Sequence, residues 1–395
     1  MADNLLDKAS ILLTPTAYND GSMLSVKPEN GDGDFTFSRG GNGSRINSSG
    51  NIVTESANIP RIDYTDGCGS WLLEGQSTNL ITESESFSSW NKDASVSITS
   101  TDKSSPLGTN NASEITVTDS GRLYHDPTIS TTADRVTSIF IKGGTFVNFK
   151  FTCIVSSEID LNAETATNNF GIQKLTNGWF RISTTAQSVT STSRRIQLQA
   201  YPDNTYTNGH GQTGTYSIIG TQMENTLLTS YIPTNGATNT RLQDIANNSG
   251  NSTLINSTEG VLYAEIAALA DDSDIKTIEL NDGATNRVFI YYRGSTLRCF
   301  VVVNSTTIFS HNQTISDVTT LHKCALKWKE NDFAFYIDGI KVDSQLSGSI
   351  FSSNTLSSLS FRGVFSSIPF YGKAKAVAVY KEALTDAQLQ SLTTI

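Results

Sequence analysis

The stretch HKCALKWK, residues 322–329, constrains this chain more than any other: His322, Cys324, Leu326 and Trp328 alternate with Lys323, Ala325, Lys327 and Lys329. A β-strand sends successive side chains to opposite faces, so this spacing puts the first set toward a core and the lysines toward water, as in a half-buried strand. A slip of one residue would turn the lysines inward, which fixes the register. Asn331-Asp332 leads into FAFYI and Asp338-Gly339 into IKV, giving a three-stranded meander closed by hairpin turns. RVFIYY and TLRCFVVV flank Arg293-Gly294-Ser295 as a second hairpin. Near the end AKAVAVY reads as a further strand, and Thr385 with Gln388 forms a capping box opening a short helix that includes Leu389 and Leu392.

Upstream, VTSIFIKGG and FVNFKFTCIV surround the Gly143-Gly144 turn, and NGWFRISTTA, RRIQLQAY and GTYSIIGTQME follow, with almost no helical periodicity. Short strands at this spacing indicate a sandwich or jelly roll. The chain has 395 residues, enough for two or three domains. Only 17% of residues are charged, and Ser, Thr, Asn and Gly supply turns and outward strand positions. Residues 1–75 read differently. Leu5-Leu6 and Ile11-Leu12-Leu13 precede Pro15 and then ENGDGDFTFSRGGNGSRINSSGN, which is too rich in glycine to hold regular structure by itself. The expectation is an all-β chain: two antiparallel β-sandwiches, 76–245 and 255–395, after a mostly irregular N-terminal attachment segment, 1–75, that packs against another copy or a docking protein.

A formal charge of -10 with no basic stripe argues against nucleic-acid binding. No apolar run approaches the roughly 20 residues of a membrane span, and MADNLLDKAS lacks the layout of a secretory signal. A product made soluble in a cytoplasm, without membrane insertion, is therefore expected. Cys68, Cys153, Cys299 and Cys324 form no close pair, so free thiols are expected. Sequons at Asn42, Asn47, Asn251 and Asn312 read as chance in a Ser/Thr/Asn-rich chain.

Phe35 to Trp90 carries a series of motifs in order: Phe37 with Arg39, Ser44 to Asn47, Gly50 with Ile52, Pro60 to Tyr64, Leu72 to Leu80, and Ser84 to Trp90. The series resembles a segment of structural proteins from tailed bacteriophages and prophages, particularly those of Bacteroidota hosts. Gly75 departs from it where the family usually has Pro, and Gly40 to Gly43 is unusually rich in glycine. The middle region resembles the carbohydrate-binding-module-type jelly roll that follows this segment, through Asn177-Gly178-Trp179, Gly220 to Glu224 and Ser230 to Thr234. Residues 255–395 resemble a laminin-G or concanavalin-A-like sandwich through FYIDGIKV and AVYKEALTDAQLQSL. That superfamily hosts many functions.

Glu158, Asp160 and Glu164 in SSEIDLNAET are similar to the E-x-D-x-x-E or E-x-D-x-E strand of retaining β-glucanases with the concanavalin-A-like fold. Retaining chemistry needs two carboxyls about 5–5.5 Å apart. Asn162 occupies the position that would share a face with Glu158 and Asp160, and the match falls in the wrong sandwich, so a structural turn is expected and no catalytic residue is assigned. NGDGDF, Asn30 to Phe35, opens like a calcium loop, but Phe35 and Gly41 stand where an EF-hand needs Gly and Glu. His125, His210, His311 and His322 are scattered without zinc-site spacing. No metal ligands and no cofactor are assigned, although lectin-like loops often hold a calcium ion. For a sugar surface, Tyr201, Tyr206, Tyr291, Tyr292 and Tyr371 near turns, with His210 in TYTNGHGQTG, are the candidate glycan-binding residues, while Trp179 and Trp328 are expected in the core. Neither a nucleophile elbow nor a phosphate loop is present.

The resemblance implies a non-enzymatic virion appendage: a tail fibre, head fibre or tail-tip protein, joined to other virion proteins through residues 1–75. Such appendages are commonly homotrimeric, which multiplies weak contacts with a host-surface glycan. A concanavalin-A-like polysaccharide depolymerase and a free bacterial lectin or adhesin are the alternatives.

Overall fold

The computed structural model describes residues 5–16, 18–19, 22–129, 133–188, 194–363 and 370–395. The chain divides into two compact units, the first made of 1–41, 55–75 and 242–395 and the second of 42–54 and 76–241. Each is an antiparallel β-sandwich.

In the first unit, one sheet runs Ile340–Gln345, Phe333–Ile337, His322–Lys329, Glu259–Ala268, Gly372–Tyr380, Ser70–Leu73 and Arg61–Asp63, with Ile11–Leu13 also paired to Gly372–Tyr380. The facing sheet runs Thr306–Thr314, Thr296–Val303, Arg287–Arg293, Lys276–Asn281 and Ser358–Ser360. Between them lies a core that includes Leu326, Trp328, Phe335 and Val379 from the larger sheet and Ile278, Ile290, Leu297 and Val301 from the smaller. The Asp338-Gly339 turn closes Ile337 onto Ile340 with both residues at positive φ, +50° and +79°, the twist a two-residue hairpin requires.

Strand 322–329 has the expected register but is not half-buried. Ala325 and Lys327 are covered too, because Leu384, Leu389 and Leu392 pack over the second face of the larger sheet beside Tyr263 and Tyr336. The capping box at Thr385 and Gln388 starts the covering helix, Asp386–Thr393, and burying each of its leucines stabilises the unit by about 1.5–3 kcal/mol. Under this cover Lys327 pairs with Asp332, 2.6 Å away.

The described residues of 1–75 carry only short strands between irregular stretches, as expected, but they do not stand apart as a separate segment. Ile11, Leu12 and Leu13 are buried as a strand of the larger sheet, as are Trp71, Leu72 and Leu73. Apolar runs this short gain most by extending a sheet that already has a core, and a docking partner is not needed to cover them. Residues 42–54 belong to the second unit instead, so three consecutive domains do not describe the chain.

Three charged residues of the ordered motifs, Arg39, Arg61 and Glu74, converge within the first unit. Arg39 and Arg61 both contact Asp244, and Arg61 also contacts Glu74 at 2.7 Å, with all four side chains buried. Burial alone would lower the Arg61 pKa, but the charges of Asp244 and Glu74 outweigh it and hold it above the ordinary value.

The second unit pairs Asn91–Lys92, Arg122–His125, Ile196–Tyr201, Asn148–Thr152, Ser156–Asp160 and Thr165–Ala166 in one sheet. Its other sheet runs Val96–Ser104, Asn110–Val117, Gly214–Asn225, Asp134–Gly143, Trp179–Ser183 and Gly171–Lys174, with Gln187–Ser188 on Asp134–Gly143. Phe149, Phe151, Leu198, Ile139, Ile141 and Ile218 are among the residues that fill the space between. Trp179 is buried as expected, on the outer side, where Ile52, Leu175 and Tyr231 cover it. Asn79, another motif residue, donates to Thr221 O and Ile232 O and accepts from Ile81 N and Met223 N. A fully buried amide used at all four positions pins these segments together.

Candidate functional site

The outer face of the smaller sheet in the first unit carries aromatic rings where a soluble sandwich usually carries polar groups. Along Arg287–Arg293, Val288, Ile290 and Tyr292 point into the core, which sends Arg287, Phe289 and Tyr291 outward. On the adjoining strand Leu297, Cys299 and Val301 are the core set, and Arg298 and Phe300 face out. Phe289 and Phe300 sit directly across the ladder with centroids 5.2 Å apart and planes 8° from parallel. Tyr291 lies 5.7 Å from the first ring and 5.8 Å from the second. Both phenylalanines are half-buried and present ring surface outward.

Polar groups border the rings. The Arg287 guanidinium lies 4.7 Å from the Phe289 centroid and 3.5 Å from the buried Glu279 carboxylate. Arg298 lies 5.8 Å from the Tyr291 centroid. Arg287 is held both by stacking on the Phe289 ring and by donating to Glu279. Phe289, Tyr291, Phe300, Thr277, Glu279 and Thr307 help line a depression of about 510 Å³, within the size range of small-ligand sites. Flat apolar rings beside fixed donors and acceptors suit a pyranose, which has apolar C–H patches and a hydroxyl rim.

Of the residues expected from sequence, Tyr291 belongs to this face. Tyr292 does not: it is fully buried in the core, its hydroxyl donates to Ile266 O at 3.0 Å, and burial holds its pKa well above the ordinary value. Adjacent residues of a strand cannot share a face. Tyr371 lies elsewhere in the first unit, where its ring approaches Gly75 so closely that a Cβ there would meet it at 3.0 Å, and its hydroxyl donates to Gln243. The absence of a side chain at Gly75 thus makes room for this ring. Phe289, Phe300, Arg287 and Glu279 were not anticipated.

Tyr201, Tyr206 and His210 do come together, in the second unit, but as a packed loop rather than an open lip. Tyr201 is 1% exposed, with Tyr206 at 5.4 Å and His210 at 6.4 Å between ring centroids. The Tyr201 hydroxyl donates to Asn208 and the Tyr206 hydroxyl to Ile159 O, while Gly209 N and Gly211 N bond Ser120 and Asp119. Lys150 sits 5.5 and 5.6 Å from the two tyrosine rings and pairs with Glu158 at 3.4 Å. Burial, with nearby carboxylates, pushes both tyrosine hydroxyls up to about 12. Most of these polar groups are thus taken up within the second unit, by Ile159, Ser120 and Asp119 outside the loop and Asn208 within it.

Glu158 is tied to Lys150, and Asp160 accepts the backbone N–H groups of Asn162 and Ala163, the strand-end turn expected of this sequence. Glu164 pairs with Lys174. Asp34, in the NGDGDF stretch, accepts from Ser25 N and Oγ. Among the described residues no group of three or more His, Cys, Asp or Glu is placed to hold a metal ion, and no helix is long and apolar enough to cross a membrane.

No protein-family model matches the chain, and no curated protein sequence does. Among solved structures the chain is similar to the CBM40 module of Ruminococcus gnavus IT-sialidase bound to α2,3-sialyllactose, with 11% identity over 37% of this chain and 92% of that one, at a TM-score of 0.31. It is also similar to domain 4 of AbnA, a GH43 extracellular arabinanase from Geobacillus stearothermophilus, in complex with arabinotriose, with 13% identity over 38% of this chain and 73% of that one, at a TM-score of 0.32. A heptameric SAP-like pentraxin from Limulus polyphemus gives 13% identity over 35% and 71%, at a TM-score of 0.27.

Proposed function

We propose that this chain is a non-catalytic virion appendage of a tailed bacteriophage whose first unit contacts a host-surface glycan. The glycan reading rests on one observation: the near-parallel Phe289 and Phe300 rings, with Tyr291, bordered by Arg287 and Glu279 over a depression. The virion reading rests on the ordered motifs from Phe37 to Trp90. Copies held side by side on a particle, as homotrimers, raise weak single-site affinity to useful avidity.

Two measurements test the proposal. Purified chain is applied to arrays of bacterial surface glycans alongside the Phe289→Ala/Phe300→Ala variant, with circular dichroism to confirm that the variant is folded. Binding by the native chain and its loss in a folded variant is the expected result; equal binding by both refutes the assignment to this face. Peptide mapping of purified phage particles from the same genome is expected to find the chain in the virion, and its absence refutes the virion role. Incubation with the bound polysaccharide is expected to release no reducing ends.

A further inference from the structure

The aromatic depression does not end at the rings. A second groove, of about 300 Å³, is lined by Asn247, Asn248, Asn281, Ser357, Ser358 and Ser360, among others, and shares Gly363 with the first. The strand Lys276–Asn281 runs through both, giving Thr277 and Glu279 to the aromatic end and Asn281 to the other. From Thr277 to Asn281 the strand covers about 13 Å at the usual rise, longer than one pyranose ring and on the scale of a short oligosaccharide.

The two ends differ in chemistry. One offers ring faces for stacking. The other offers amides and hydroxyls, groups that donate and accept with hydroxyl-rich ligands without carrying charge. Among the residues that line the two grooves the formal charges cancel, Glu279 and Asp282 against Arg287 and Arg362, with Arg298 at the border of the aromatic end. Asp282 is further occupied by its own turn, accepting from Ala284 N, Asn286 N and Asn286 Nδ2. Such a lining rewards length and hydroxyl pattern rather than ligand charge.

We infer that the two grooves form one extended site for a neutral oligosaccharide segment of two or more sugars, one sugar stacked on Phe289 and Phe300 and the next held by the Asn248, Asn281 and Ser357 side. The inference rests on the proposed glycan-contact function of the same face and adds the ligand's length and charge class.

The test is calorimetric titration of the full chain with neutral ladders, from monosaccharide to hexasaccharide, cut from glucan, mannan and xylan, and with an oligogalacturonate ladder as the charged probe. For the ladder that binds, Kd is expected to fall at least about tenfold between monosaccharide and trisaccharide. Asn248→Gly/Ser357→Ala is then expected to abolish that gain while leaving the monosaccharide affinity. Asn248 is exposed and sits at φ +60°, which glycine adopts freely, so the variant keeps its fold. Binding that depends on Phe289 and Phe300 but not on ligand length overturns the inference and leaves the glycan-contact reading standing, as does preference for the charged ladder. Failure of every ladder and of the surface-glycan array overturns both.

Discussion

Asp244 offers the sharpest perturbation of the fold. Its carboxylate accepts from Arg39 Nη1 at 3.1 Å, from Arg61 Nη2 at 2.5 Å and from Glu74 N at 2.7 Å, and the Asp244, Arg39 and Arg61 side chains have no solvent exposure. Replacing Asp244 with Ala removes a carboxylate shared by two buried guanidiniums and leaves the cluster with excess positive charge in a dry site. Breaking a buried pair from one side costs about 3–5 kcal/mol, because the desolvated partner keeps its charge. With a urea slope of about 3 kcal/mol/M, the midpoint of the first unit's transition moves down by about 1–1.7 M. Asp244→Asn, which keeps the shape and loses the charge, is expected to recover little of this. The exposed Arg122–Asp93 pair of the second unit, at 2.8 Å with side chains 46% and 31% exposed, is the control, and Asp93→Ala should cost less than about 1 kcal/mol. The assay is urea unfolding followed by tryptophan fluorescence. A loss below about 1 kcal/mol for Asp244→Ala, no larger than for the surface pair, refutes the reasoning.

Other expectations follow from the same physics. His125 stacks on Trp90 at 5.4 Å, and burial lowers its pKa from 6.5 against the opposing charge of Asp126. The unfolded chain therefore takes up this proton first, so stability is lost as pH falls below about 6.5 until the folded His125 protonates as well. The thermal midpoint of the second unit should drop less over that window in His125→Gln, and identical profiles would contradict this. Cys68 is exposed, whereas burial raises the pKa of Cys153, Cys299 and Cys324. A thiol reagent should modify one cysteine in the native chain and all four in denaturant, and rapid modification of more than one in native buffer would contradict the packing. A double-mutant cycle on Phe289 and Phe300 should give a coupling of about 0.5–1.5 kcal/mol in unfolding experiments, and additive effects would show that the rings do not meet.

Much of this was legible in the sequence, and the gaps have physical causes. Alternation in 322–329 gave the strand and its register, but alternation cannot show what lies on the outer face, and the helix 386–393 covers it. The Arg293-Gly294-Ser295 turn was visible too. Once Arg293 pairs with Thr296, Phe289 must face Phe300, so the aromatic pair was derivable by counting back along both strands. The alternation of RVFIYY itself assigns Phe289 and Tyr291 to one face and Tyr292 to the other. Tyr201 and Tyr206 sit near a glycine-rich loop that suggested exposure, but the loop folds back and donates its N–H groups to Asp119 and Ser120. The partnership of Arg39, Arg61 and Glu74 with Asp244 spans up to 205 residues, and no local rule reports a contact of that range.

A structure of the chain with a bound neutral oligosaccharide tests the central claim most directly. One sugar ring should lie on Phe289 and Phe300, with hydroxyls reaching Arg287 and the Asn281 side of the groove. A ligand seated instead on the Tyr201–His210 loop, or anywhere away from the outer face of strand Arg287–Arg293, would contradict it.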